Sequence, residues 1–308
     1  MNVADLIQAA LSGSTRATGR LLSLIEGDRR DEVLAALDTA SARVVGITGP
    51  PGAGKSTTIA VLVGGYRERG MRVAVLAVDP SSPYSGGAIL GDRVRMGQHA
   101  LDPTVFIRSM ATRGHLGGLS LAVPDAVRLL GAAGVPVVIV ETVGVGQMEV
   151  EIASAADTTV VVVTPGWGDS MQANKAGLLE VADVFVINKA DRPGAREARR
   201  DLEQMLDLAR PGSWRPEIVD TTATTGEGVA DLWAVVARHR AHLLGSGQLV
   251  TRRAGRLTQE LRRVLLARAE ARLDELAGGE EFASAVKALV AGETDPYGAA
   301  DRLLEAAG

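Results

Sequence analysis

Short β-branched runs alternate along most of this chain with longer stretches of helical periodicity. The runs fall at residues 43–48 (RVVGIT), 72–78 (RVAVLAV), 104–109 (TVFIRS), 135–141 (VPVVIVE), 158–164 (TTVVVVT), 183–188 (DVFVIN) and 216–221 (PEIVDT). Apolar spacing predicts helices near 55–69, 89–99, 119–133, 147–155, 171–181, 194–208 and 228–243. Strand and helix in alternation predict an α/β fold, a mostly parallel central sheet flanked by crossover helices. Ligands of such sheets bind outside the carboxyl ends of the strands, so functional residues should follow strand ends.

Both flanks are helical in pattern. In residues 1–42, Leu6, Ile7, Leu11, Leu21, Leu22, Leu24, Ile25, Val33, Leu34 and Leu37 recur at helical spacing, punctuated by Gly13, Gly19 and Gly27. This reads as a packing extension. A Gly/Ser stretch at 245–248 marks a boundary. Residues 251–277 then form one long Arg/Leu/Glu helix, and 280–307 are helical on either side of Asp295-Pro296-Tyr297-Gly298. The expected organisation is an N-terminal helical extension (1–42), an α/β domain (43–244) and a C-terminal helical arm (245–308).

Composition narrows this picture. The 308 residues are 46% hydrophobic but only 3% aromatic, so Val, Leu, Ile and Ala must build the core, as suits a parallel sheet covered on both faces. The net charge of −4 argues against a nucleic-acid partner. With no cysteine, disulfides and Cys-ligated zinc or iron–sulfur centres are excluded. The opening MNVADLIQAALSG lacks the basic run of a signal or transit peptide. No segment approaches the roughly 20 apolar residues of a membrane span. A cytoplasmic protein with no membrane association is expected. Lysine occurs only at Lys55, Lys175, Lys189 and Lys287 among 33 basic residues.

Two of those lysines sit in motifs. Gly49-Pro50-Pro51-Gly52-Ala53-Gly54-Lys55-Ser56 matches G-x-x-x-x-G-K-[ST] in full, after a strand and before a helix. Glycines there let backbone amides turn inward around phosphate oxygens, and the helix adds unpaired N–H groups and its positive end. Lys55 should reach the β- and γ-phosphates, Ser56 should ligate Mg²⁺, and Thr57 should lie by the α-phosphate. Asn188-Lys189-Ala190-Asp191, at another strand end, matches the N-K-x-D guanine motif. An Asp carboxylate can accept from both the imino N–H and the exocyclic amine of guanine; adenine offers neither there, and an unpaired buried carboxylate discriminates strongly. After the next strand, Thr222, Ala223 and Thr224 resemble the loop whose backbone amide meets the guanine carbonyl, with Thr222 where serine is usual.

Hard oxygen ligands for Mg²⁺ are offered by Ser56 and by carboxylates at or after strand ends: Asp79, Asp92 and Glu141. Glu141-Thr142-Val143-Gly144 stands where many GTPases carry D-x-x-G, which would give Gly144 the γ-phosphate. Gln147 lies three residues beyond, too far to be assigned the water. In the Gly-containing segment 165–177 (PGWGDSMQANKAG), Lys175 could bring positive charge to the transition state, as an arginine finger does. Arg108, Arg113 and His115 read as loop-positioning residues. His239 and His242 share a helix face at i, i+3, a pairing typical of a solvated face.

Taken in order, GPPGAGKST, VDPSSPYSGGAILGDRVRM, ETVGVGQ, PGWGDSMQANKAG and NKAD resemble the MeaB/ArgK-type GTPases of the SIMIBI class of P-loop proteins. The resemblance runs through about residue 240 and continues less specifically into the arm. It implies a GTP/GDP- and Mg²⁺-dependent chaperone of adenosylcobalamin-dependent methylmalonyl-CoA mutase, acting in cofactor loading, protection or reactivation. It also implies a homodimer joined through the C-terminal helices, nucleotide binding by 49–57, Asp191 and 222–224, metal near Ser56, Asp79, Asp92 and Glu141, and a mutase-coupled switch at 165–177. Competing classes fit less well. A nickel-delivery GTPase would bring Cys or His clusters, a signal-recognition-type GTPase a Met-rich module, and a kinase would not need N-K-x-D.

Overall fold

The structure, a computed structural model, describes residues 2–37, 42–79, 99, 101–111, 122–142, 148–167, 175–208 and 212–306. The predicted helix at 89–99 lies outside these residues except at His99. The chain divides into two compact units, Met1–Arg253 and Ala254–Gly308.

In the first unit seven strands form one sheet. They are β1 (Arg43–Thr48), β2 (Val73–Asp79), β3 (Val105–Ala111), β4 (Val137–Thr142), β5 (Thr158–Val163), β6 (Val184–Asn188) and β7 (Glu217–Thr221). Their order is β3-β2-β4-β1-β5-β6-β7 and every pairing is parallel. Among the described residues the sheet is thus wholly parallel. β1, β4, β5 and β6 are buried at every position, which explains why the runs read as continuous apolar stretches.

Alternation decides which helices each strand residue meets. One face, with Val44, Leu76, Val138 and Val140, packs against α1 (Val3–Leu11), α2 (Thr15–Ile25), α3 (Arg30–Ala35), α5 (Ala122–Ala132) and α6 (Met148–Ala155). The other, with Val45, Ile47, Ile139, Val160 and Val186, packs against α4 (Lys55–Glu68) and α9 (Val229–Gly245). Beyond β5 a third cluster gathers Val161, Phe185, Ile187 and Trp167 under α8 (Ala195–Leu208), with α7 (Lys175–Val181) contributing Leu179. The N-terminal extension is therefore part of the main core. Asn2 opens α1 through a capping box with Asp5. Gly19 does not break the pattern as expected; it lies inside α2. Arg108 on β3 holds α2 through Gly19 O, Ser23 and Glu26, and Arg30 pairs with the buried Asp125 of α5.

The long helix α10 (Gln248–Ala277) begins in the first unit, at the amino ends of the strands. Asp157 and Asp183 each directly precede a strand and accept a neighbouring strand's amide, Val44 N–H at 3.1 Å and Thr159 N–H at 2.9 Å. Arg253 pairs with Asp157 at 2.9 Å and Arg252 with Asp183 at 2.8 Å. His239 is not on a solvated face. It is fully buried, with Nδ1 3.0 Å from Thr158 Oγ1 and Nε2 3.2 Å from Asp183 Oδ1, and Trp214 packs on its ring. The second unit holds the rest of α10 with α11 (Glu280–Val290) and α12 (Pro296–Ala306), where Asp295 accepts the Tyr297 and Gly298 amides.

Candidate functional site

The loop after β1 turns back into α4 and leaves a ring of amides. Gly49 has φ +135°, and a Cβ there would lie 2.0 Å from the Val162 carbonyl oxygen, so only glycine fits against β5. Gly54 precedes α4 at φ +91°, where a Cβ would strike the Asn188 amide at 2.2 Å. Among the described residues the amides of Gly52, Gly54, Ser56 and Thr57 meet no acceptor. A helix start with its N–H groups open is an anion site in waiting. Lys55 is buried, and its ammonium donates to Gly49 O at 2.8 Å and Pro50 O at 3.1 Å. Pro50 and Pro51 carry no amide, so they shape the loop and cannot donate to phosphate.

Ser56, on the first turn of α4, donates to Glu141 Oε1 at 2.8 Å, and both are buried. The pair supplies a hydroxyl and a carboxylate, hard oxygens of the kind Mg²⁺ takes. Asp79 ends β2 on the strand next to β4, with Ala77 paired to Glu141; its side chain lies outside the described residues. Asp92 does as well, together with Arg113, His115, Gly144 and Gln147. No group of three or more His, Cys, Asp or Glu side chains that could hold a metal occurs among the described residues. Lys175 begins α7, but its side chain is likewise not described. Trp167, placed by sequence in a loop, is buried in the third cluster.

The guanine motif closes the cradle from the side. Asn188 Nδ2 donates to Ala53 O at 2.8 Å, while its Oδ1 accepts from Thr221 Oγ1 at 3.3 Å and the Ala223 amide at 3.1 Å. One carboxamide thus ties the phosphate loop to the loop after β7. Lys189 has φ +59°, unusual for a residue with a Cβ, and its ammonium reaches Gly52 O at 2.8 Å. Asp191 is exposed, and among the described residues its carboxylate meets no partner.

The loop 222–227 is stiffened by its own bonds. Thr222 bridges to Glu227, and Thr222 O accepts from the amides of Thr225 and Gly226. Because Asn188 takes the Ala223 amide, the loop amide left open among the described residues is that of Thr224. That donor could not be singled out from the sequence, since it depends on where the Asn188 side chain points. A groove of about 760 Å³ continues outward from Thr57, Ala223 and Thr224 between α4 and α9, ending near Arg69 and Trp233.

The comparisons with known proteins agree with this geometry. Residues 19–276 match the family described as methylmalonyl-CoA mutase-associated GTPase MeaB. A protein of Pyrococcus abyssi provisionally named a GTPase is 45% identical over 98% of this chain and 95% of its own length. The mitochondrial methylmalonic aciduria type A homolog of Mus musculus is 40% identical over 68% of this chain and 52% of its own length. Among solved structures, the crystal structure of an LAO/AO transport system kinase superposes with a TM-score of 0.72 at 27% identity, covering 99% of this chain and 98% of that one.

Proposed function

The chain belongs to the MeaB family of methylmalonyl-CoA mutase-associated GTPases, and from that premise we propose that it is a GTP-driven chaperone of an adenosylcobalamin-dependent methylmalonyl-CoA mutase. The observation that carries the nucleotide part is the pair of open groups on the base side. The Asp191 carboxylate and the Thr224 amide offer an acceptor and a donor beside the phosphate cradle. Guanine presents the matching N–H groups and carbonyl; adenine presents an amine where the carbonyl would be.

In this reading the amides of Gly52, Gly54, Ser56 and Thr57 hold the phosphates, and Lys55 leaves the Gly49 and Pro50 carbonyls for the β- and γ-oxygens. Mg²⁺, when bound, neutralises charge on those oxygens. Ser56 and Glu141 are the described residues suited to hold it, with Asp79 and Asp92 as further carboxylates. Lys175 would bring positive charge to the transition state. Basal turnover would be slow, between roughly 10⁻⁴ and 10⁻² s⁻¹, the range of GTPases without and with an arginine in cis. The protein would act in the cytoplasm as a homodimer joined by its C-terminal arm.

The mutase role is tested by pull-down from cell extract with GDP or a non-hydrolysable GTP analogue. Recovery of a cobalamin-dependent mutase that changes with the nucleotide supports it. Turnover measured with and without the purified mutase should differ severalfold; equal rates would count against a switch.

A further inference from the structure

The outer half of α4 carries two glycines in a row, Gly64 and Gly65. Glycine is a poor helix former, because it gives up the most backbone freedom on folding. Gly65 has a packing reason: a Cβ there would come within 3.2 Å of Trp233 Cδ1 on α9. Gly64 has none, for a Cβ built on it meets nothing within 4 Å among the described residues. What its missing side chain leaves is space on the wall of the groove between α4 and α9.

That groove starts beside the nucleotide site. At its inner end stand Thr57, on the α-phosphate side of the cradle, and Thr224, whose amide is open among the described residues. The part of a guanine nucleotide between α-phosphate and base is the ribose, so its hydroxyl edge borders the groove. The volume, about 760 Å³, is in the range that holds a whole small ligand and far exceeds what a sugar edge requires. Gly64 lies two turns, about 10 Å, along the helix from Thr57. A diphosphate on the ribose 3′-oxygen would extend over that length.

The outer end suits an anion. Arg69 Cζ lies 3.4 Å from the centre of the Trp233 ring, and one guanidinium N–H donates back to Gly65 O at 2.7 Å. The group is therefore held at the level of Gly64 and Gly65, stacked and preorganised. Its other N–H groups meet no acceptor among the described residues. Glu68, the one carboxylate lining the groove among the described residues, is exposed, so water and salt screen it. A simple clasp between α4 and α9 would account for the stacking but not for the open wall at Gly64.

We infer that the groove extends the nucleotide site and takes a phosphate-class substituent on the ribose 3′-oxygen of a guanine nucleotide, with Arg69 as its partner. The inference rests on the guanine reading of Asp191 and Thr224.

The test measures binding to the full chain of GDP, guanosine 5′-diphosphate 3′-diphosphate and 2′-deoxy-3′-O-methylanthraniloyl-GDP, whose substituent is bulky but uncharged. Wild type should bind the 3′-diphosphate severalfold tighter than GDP, an advantage that shrinks with added salt. Gly64→Leu places a better helix former in the groove, so its Tm should not fall. It should hold GDP within about twofold and weaken the 3′-diphosphate about tenfold or more. Arg69→Ala should bring the 3′-diphosphate down to the affinity of GDP and leave the other two nucleotides unchanged. A wild type that binds the 3′-diphosphate more weakly than GDP would overturn the inference. So would a Gly64→Leu variant that affects all three nucleotides alike or none. An Arg69→Ala variant that keeps the advantage, or lowers Tm and all three affinities together, assigns Arg69 to packing and overturns it too. A chain that binds none of the three removes the guanine reading beneath it, an outcome distinct from all of these.

Discussion

At the scale of single residues, the site depends on a few atoms left without partners and on glycines that cannot be replaced. Asp191 is the clearest case. Its carboxylate is exposed and open, and the same backbone turn holds Lys189 at φ +59° so that its ammonium lies on Gly52 O. Changing Asp191 to Asn replaces one acceptor oxygen by a donor, so guanine loses a partner while the ring carbonyl of xanthine gains one. Asp191→Asn should weaken GTP binding by at least tenfold and improve xanthosine triphosphate, checked by competition binding; retained GTP preference would sink the base assignment. Gly54→Ala meets two obstacles, a positive φ and the Asn188 amide 2.2 Å away. It should destabilise the fold by about 1–3 kcal/mol and lose nucleotide binding, read by urea unfolding and by titration with a fluorescent GTP analogue.

At the scale of elements, the first residues of α10, which belong to the first unit, are held at the sheet by two ion pairs built alike. Ala156-Asp157 precedes β5 and Ala182-Asp183 precedes β6, and consecutive arginines on α10 take one aspartate each. The aspartate side chains are only 4% and 7% exposed and the arginine side chains 31% and 36%. Arg253→Ala strands a buried carboxylate and should cost roughly 2–3 kcal/mol, below the fully buried range because water still reaches the arginine; chemical denaturation measures it. Burial works to raise the Asp183 carboxyl, but bonds from His239 and Arg252 outweigh it, and the group ionises below the ordinary carboxylate range. A depressed folded pKa stabilises above the unfolded value of about 4 and is lost as pH falls through the folded one. Wild type should therefore lose stability more steeply below about pH 4 than Asp183→Asn. A parallel acid limb in both would mean that the carboxylate does not contribute.

At the scale of the whole molecule, the second unit leaves apolar side chains uncovered. Leu257, Leu261 and Leu265 recur every fourth residue of α10 and are more than half exposed. On the proposal of an arm-joined homodimer they form the seam. Leu261→Asp with Leu265→Asp should give a monomer by sedimentation while GTP binding persists; an unchanged mass would place the seam elsewhere. No helix among the described residues is long and apolar enough to cross a membrane. The sheet was legible along the chain because strands buried on both faces leave continuous Val-rich runs, and the P-loop and N-K-x-D stood out because their chemistry requires fixed residue types at fixed spacing. Those local constraints let the sequence by itself determine an α/β fold with a mostly parallel sheet and propose the cradle at 49–57 and the guanine motif at 188–191. Only the tertiary structure decided how distant segments meet. It buried His239 against Asp183, gave the Ala223 amide to Asn188 so that Thr224 is left open, and set Thr48 against Thr142 across 94 residues of chain. Such contacts depend on strand register and side-chain direction, which neighbouring positions in a chain do not encode.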